Sequence, residues 1–365
     1  MVSFTPTEDQ QLLISTINRY ATNDVRKVAH EADESELIPA NVIETGWQMG
    51  LVPSAIPEEL GGLGELSAMT GVLAAEELAF GDLSVALQVL SPALMAYPVV
   101  LYGTAEQREK LLPLFLEEAI TPATAALLEP GVFFDPYELK TTATTSGGTI
   151  QLNGVKAYVP LAETAEWMLV YAKDSESGRV DGYVVARNAA GVMIEKREAL
   201  MGLRAMPTYR VQFNGVTVDE TARLGGAVGI DYAAILNRQR VALAALAVGV
   251  GRASFEYARD YAKQRVQFGK PIAQNQAIAF MLAEMAVEID GARLMAWEAA
   301  WKLDKGEDAT REAYLAKQYA DQMVVKVTDS GVQTLGGYGF IREYPAERWL
   351  RNGRGFTTFD GLAIV

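Results

Sequence analysis

Apolar positions recur at helical spacing through the first third of the chain, at strand spacing through the middle, and at helical spacing again to the end. In residues 8–20 the apolar set is Leu12, Leu13, Ile17 and Tyr20, one face of a helix. Residues 39–49 predict a second helix, stopped by Gly50. The Pro- and Gly-rich stretch 50–64 predicts a loop. Residues 67–78 and 84–103 are apolar enough to predict two buried helices. Thr104 followed by Gln107 is a capping box that opens another. The period then changes. Residues 149–159 carry strand formers on both sides of Asn153-Gly154, which predicts a hairpin turning there. Further strands are predicted at 167–173, 182–187, 191–196 and 209–218. From 230 to 264 a helix rich in Ala and Gly is predicted, ended by Gly269-Lys270-Pro271. A second follows, with an apolar stripe of Ile278, Met281, Leu282, Met285, Ile289 and Ala292. A third spans 310–335, with Ala313, Ala316, Ala320, Met323 and Val327 inward. This order predicts an α+β, mainly α protein: a helical domain over 1–120, a small β domain over 121–229 and a helical domain over 230–365.

Composition narrows the chemistry. The 365 residues are 50% hydrophobic and 21% charged, as in a globular protein. No run of roughly 18 apolar residues suggests a membrane span, and the N-terminal residues lack the pattern of a signal peptide. The absence of cysteine removes disulfides and thiolate chemistry and agrees with a cytoplasmic location. The single histidine, His30, lies beside Glu31 in a charged stretch and is expected at the surface, which argues against a His-based metal site or a Ser-His triad. A net charge of −14 argues against nucleic acid or an anionic membrane as partner. Arg238, Arg240, Arg252, Arg259, Arg265 and Lys270 gather in one helix and its exit, and most are expected on a solvated face.

The last stretch concentrates the candidate chemistry. Gln333, Gly336 and Gly337 fall where a helix must stop, and a Gly pair there lets another molecule approach the backbone. Asp360, followed by Gly361, puts a carboxylate on a turn near the chain end. YAKQRVQFGKPI, NQAIAF, PEELGGLG and VQTLGGYGFIREYPAERWLRN closely resemble segments of the acyl-CoA dehydrogenase family. LLEPGVFFD, LNGVKAYV and MGLRAMPTYRVQFNGVTV resemble its middle domain more loosely. The resemblance is collinear over nearly the whole chain. It implies an N-terminal helical domain, a central β-barrel and a C-terminal four-helix bundle, assembled as a homotetramer or homodimer. It also implies FAD as cofactor, with Arg265, Gln267 and Phe268 meeting its diphosphate and adenosine. Gln276, Gln333, Gly336 and Gly337 would complete that clasp from a partner chain. Asn237 and Arg240 match substrate-contacting positions, Asn237 standing where Asp is usual. Asp360, with Gly361 after it, occupies the place of the catalytic Glu, which takes the α-proton of an acyl thioester while a β-hydride passes to flavin N5. The substrate would be carried by CoA or by an acyl carrier protein, with an electron-transfer flavoprotein as a possible acceptor.

Departures from that family pattern cluster at the reaction centre. Asp360 is one methylene shorter than Glu. Leu362 replaces a flavin-contacting Thr, Leu128 replaces the Thr of an LTEP motif, and Phe133-Phe134 replaces a Gly-Ser pair. Pro160 stands where a hydroxyl would meet the flavin, and Gln239 fills the alternative position for a base. The clasp is kept while the pocket is rebuilt. Three readings follow: a dehydrogenase of an acyl thioester with Asp360 as base, a flavoprotein oxidase or monooxygenase of the same fold resembling the nitroalkane oxidases, and a non-catalytic binding subunit that keeps the flavin fold.

Overall fold

The computed structural model describes residues 5–365. The N-terminal part is helical as expected. Helix α1 (Glu8–Tyr20) opens on a capping box between Thr7 and Gln10. A π turn, Ala21–Val25, carries it into α2 (Arg26–Ser35), which the apolar period did not reveal because only Ala29, Ala32 and Asp33 of it are buried. Next come α3 (Ala40–Gln48), α4 (Ala68–Gly81), α5 (Leu83–Leu90), α6 (Ala93–Tyr102) and α7 (Ala105–Leu111). The single helix expected over 84–103 is two, meeting at 41° across Ser91-Pro92, because proline has no N–H to continue the ladder. Thr104 and Gln107 form the predicted capping box at α7.

The middle of the chain is one curled sheet. Its strands are β1 (Ala123–Ala126), β2 (Thr142–Ser146), β3 (Thr149–Pro160), β4 (Trp167–Asp174), β5 (Val180–Ala186), β6 (Val192–Arg197) and β7 (Thr208–Asp219). They lie in the order β1-β4-β2-β3-β7-β6, with β5 on β4. The hairpin expected at Asn153-Gly154 does not form. β3 runs through those residues and pairs with β7 from Thr149↔Asp219 to Pro160↔Thr208, shifting register at Leu152/Asn153 and again between Lys156 and Val159. Gly154 is needed for close approach: a Cβ there would lie 2.5 Å from the Thr141 hydroxyl. The turn sits earlier, at Gly147-Gly148, both with positive φ. A twelve-residue ladder outweighs a local turn preference.

The C-terminal part is built from α8 (Tyr232–Gln264), α9 (Gln276–Asp304) and α10 (Thr310–Leu335), followed by the short α11 (Gly337–Phe340) and α12 (Ala346–Gly355). Two two-residue strands, β8 (Val266–Gln267) and β9 (Lys270–Pro271), make a small hairpin after α8. Helix α8 is long and apolar enough to cross a membrane, but 89% of its apolar 18-residue stretch is buried within the protein. It is the core helix. At Gly249 a Cβ would stand 2.3 Å from the Glu76 carbonyl, so glycine sets the approach of α8 to α4.

The charges of α8 correct one expectation. Arg238 and Arg240 are buried. Arg252 is held in a fork against Glu76 at 2.8 Å and Glu77 at 2.6 Å. Only the C-terminal members of the set, such as Arg259 and Lys270, face solvent. Opposing carboxylates on α4 explain why half-buried Arg252 turns inward, and they lie 175 and 176 residues away in sequence. His30 is exposed, as expected.

One buried pair was not anticipated. Lys156 is 0% exposed and donates to Glu129 at 2.9 Å and to the Leu127 carbonyl at 3.0 Å. Burial pushes the Lys156 ammonium down to about 8 against the pull of Glu129. Removing one partner leaves an uncompensated charge in the interior. Lys156→Met is therefore expected to lower stability by roughly 3–5 kcal/mol, read as a shift of the urea midpoint.

Candidate active site

Asp360 lies where the N-terminal end of α8, the N-terminal half of α10 and the end of β1 meet. A 3-10 turn, Phe356–Thr358, delivers it. Gly361 follows at φ +67°, and a Cβ there would stand 2.7 Å from Leu127 Cβ. Glycine alone fits both the backbone and the space. The Asp360 carboxyl has no hydrogen bond or ion pair among the described residues, and its own N–H has no acceptor there. Burial raises its pKa, with Lys317 and Arg240 pulling the other way. A desolvated, unpaired carboxylate is a stronger base than a solvated one.

Arg240 faces Asp360 from α8. Its guanidinium carbon lies 5.7 Å from the Tyr137 ring and 5.6 Å from the Tyr314 ring, and it donates to the Tyr137 hydroxyl at 3.4 Å. Tyr232 donates to the Pro136 carbonyl at 2.7 Å. Together these bonds tie the 130–137 loop to α8. The tyrosines and Lys317 went unnoticed in the sequence, because each contact joins segments far apart in the chain. Asn237 donates to Thr310 Oγ1 at 3.0 Å, while its own amide oxygen is buried without a partner. It therefore joins α8 to the start of α10 and keeps one acceptor free.

The second set of candidate residues lies elsewhere. A groove of about 380 Å³ is lined by Tyr261, Arg265, Gln267, Gln333, Gly336 and Gly337. Arg265 sits over the Tyr338 ring at 5.4 Å. Gly336 has φ +60° and ψ −130°, a region open essentially to glycine, and neither it nor Gly337 has an atom within 4 Å of where a Cβ would stand. The backbone is thus open to a ligand, beside a guanidinium fork suited to phosphate oxygens. Phe268 and Gln276 are not in the groove lining. Phe268 is 95% exposed at the tip of the β8–β9 hairpin, and Gln276 is exposed at the first turn of α9. Lys317 and Gln333 both lie on α10, sixteen residues apart, or about 24 Å along a helix. Groove and carboxylate are therefore two separate places on one chain.

The residues that depart from the family pattern are partly interior and partly exposed. Leu128, Leu362 and Gln239 are buried. Both polar ends of Gln239 lack a partner. Pro160 ends β3 between two non-glycine residues of positive φ, Tyr158 at 51° and Leu161 at 54°, a strained arrangement at a strand end. Within the 130–137 loop Val132 and Phe133 are 91% and 94% exposed. Gly361→Ala is expected to cost about 1–3 kcal/mol through the positive φ alone, with further loss from the Leu127 clash. A thermal melt reads that cost, and loss of whatever activity depends on Asp360 is expected with it.

Three family models cover the chain. The acyl-CoA dehydrogenase N-terminal domain matches residues 7–119, the middle domain 124–216 and the C-terminal domain 229–363. An acyl-CoA dehydrogenase of Bacillus subtilis (strain 168) is 32% identical, over 97% of this chain and 95% of its own. The butyryl-CoA dehydrogenase of Megasphaera elsdenii superposes with a TM-score of 0.90 at 30% identity, covering 99% of this chain and 96% of its own. A prolyl acyl carrier protein oxidase, AnaB, superposes with a TM-score of 0.89 at 25% identity, covering 98% and 96%. The chain belongs to the acyl-CoA dehydrogenase family, oxidoreductases that act on CH–CH groups.

Proposed function

We propose that this protein is an FAD-dependent dehydrogenase of an acyl thioester, with Asp360 as the base that removes the α-proton. The observation that carries this reading is the placement of Asp360: desolvated, unpaired and next to a buried guanidinium. When bound, FAD would supply the acceptor for the β-hydrogen of the substrate. The groove residues suit its diphosphate end, since Arg265 offers a donor fork and Gly336-Gly337 an open backbone. Leu128, Pro160 and Leu362 carry no hydroxyl, so they would offer the cofactor apolar contact only.

Asp360 accepts the α-proton on its carboxylate. Its free N–H is suited to donate to the thioester oxygen, on which negative charge grows during that step. Arg240, bracketed by Tyr137 and Tyr314, balances the carboxylate charge, and Asn237 offers its unpaired amide oxygen to a donor on the substrate. Because burial raises the Asp360 pKa, kcat/KM should fall on the acid side above the pH expected for a solvated aspartate.

A carrier-bound acyl group is the favoured form of substrate. Val132 and Phe133 are exposed on the 130–137 loop, an apolar surface on which a carrier would dock, and the similarity to a carrier-protein oxidase supports the same choice. The groove lies about 24 Å along α10 from the Asp360 end, which fits a clasp on the cofactor of a second copy. Phe280, Val287 and Leu294, seven residues apart on α9, are all exposed and would be covered in such an assembly.

An anaerobic titration of the yellow protein with acyl-CoAs, carrier-loaded thioesters and nitroalkanes, followed by flavin absorbance, tests the substrate class. Bleaching by thioesters is expected, and bleaching by nitroalkanes alone would favour the oxidase reading. Reoxidation of the reduced protein by air rather than by an electron-transfer flavoprotein would do the same. Asp360→Asn should slow bleaching about 10²–10⁴-fold, and retention of the wild-type rate removes Asp360 as base. Val287→Glu should shift the assembly toward smaller species by light scattering, whereas an unchanged mass would place the contact elsewhere.

A further inference from the structure

The interior of α10 carries an ion pair that the reaction as described leaves unused. Lys317 and Asp321 are both buried, one helical turn apart. The Lys317 ammonium donates to the two Asp321 carboxylate oxygens at 2.8 and 2.6 Å, and to the Phe356 carbonyl at 2.8 Å. All three of its protons are used. The same Phe356 carbonyl accepts the Phe359 N–H at 3.3 Å, which closes the turn immediately before Asp360. A buried pair that served stability alone could be replaced by apolar side chains at little cost. Here the cation grips the one carbonyl that sets where Asp360 begins.

We propose that Lys317 is a positioning residue for Asp360, pinning the turn that carries the carboxylate while presenting to it the positive charge of a buried ammonium. The charged and titratable groups around Asp360 are Arg240 and Tyr232 from α8 and Lys317 and Asp321 from α10, with Tyr137 of the 130–137 loop next to Arg240. Lys317 and Arg240 both favour the ionised carboxylate, Arg240 from the opposite helix. Burial pushes the Asp321 carboxyl up to about 6, and the charge of Asp360 adds to that push. Asp360 and Asp321 therefore share one cation.

The kinetic part of this inference rests on Asp360 being the base, so the test has two readouts. The double variant Lys317→Met/Asp321→Leu removes both charges without leaving a bare one in the core. Asp321→Asn keeps the ammonium. In holoprotein carrying carboxyl-¹³C aspartate, the Asp360 signal is identified by its absence in Asp360→Asn and followed through pH. The double variant should move that titration, and the acid limb of kcat/KM, to higher pH. In Asp321→Asn neither should rise. A folded double variant whose titration stays at the wild-type position overturns the proposal, as does a rise in Asp321→Asn. The carboxyl titration needs no turnover, so it reports on Lys317 even if Asp360→Asn remains active and the base assignment is lost.

Discussion

Close contact between the small-residue middle of α8 and its neighbours governs the placement of everything else. Ala242, Ala245, Gly249, Gly251 and Ala253 let α4, α9 and α10 approach the helix on several sides. At Gly249 the approach is limited by the Glu76 backbone, and at Gly251 by the Met323 sulfur, which a Cβ would meet at 3.0 Å. Interiors pack at crystal-like density, so such contacts permit little slack. The N-terminal end of α8 is thereby fixed against the sheet, with Arg240 pointing to Asp360. Its C-terminal end is fixed beside α10, where Arg265 joins Gln333 in the groove.

Networks of buried carboxylates and half-buried or exposed arginines then lock the three parts together. Arg252 and Arg293 converge on Glu76 and join α4 to α8 and α9. Asp33 of α2 receives Arg342 at 2.9 Å and Arg351 of α12 at 2.6 Å, while Arg204, in the loop before β7, donates to the Asp33 carbonyl at 2.9 Å. Desolvation cancels much of the attraction in such networks, so their net contribution to stability is small. Their geometric demand is large, because each carboxylate must meet its partners in one register. That demand holds the loop after α12, and with it Asp360, against the sheet at Leu127.

The site combines a rigid frame with polar groups left unsatisfied. Gln239 has no partner at either end, Asn237 keeps a free oxygen, and Asp360 has neither hydrogen bond nor ion pair among the described residues. Buried polar groups normally find partners. Asn237 and Gln239, two residues apart on α8, point about 200° apart, so Asn237 and Asp360 are the unsatisfied groups that accompany Arg240 at the site. Backbone strain sits at the end of β3, where Tyr158 and Leu161 both have positive φ.

Periodicity determined the long helices, most strands and the three-part order, because amphipathic spacing and capping residues act within a few positions of themselves. The capping box at Thr104, the stop at Gly336 and the inward faces of α9 and α10 were all legible on that basis. The family resemblance was legible in the motifs that end α8 and α10. Local signals failed where distant partners decided the outcome. The β3–β7 ladder straightened the turn expected at Asn153-Gly154, and carboxylates on α4 drew Arg252 inward. Pro92, which divided one apolar run into two helices, was itself a local signal, outweighed in the reading by the apolar run around it. The sequence located Asp360, Arg240 and the Gly336-Gly337 pair as candidates. Only the tertiary structure brought Lys317 to the turn before Asp360 and Tyr137 and Tyr314 to Arg240, because those contacts join residues tens to more than a hundred positions apart, where no local period carries information.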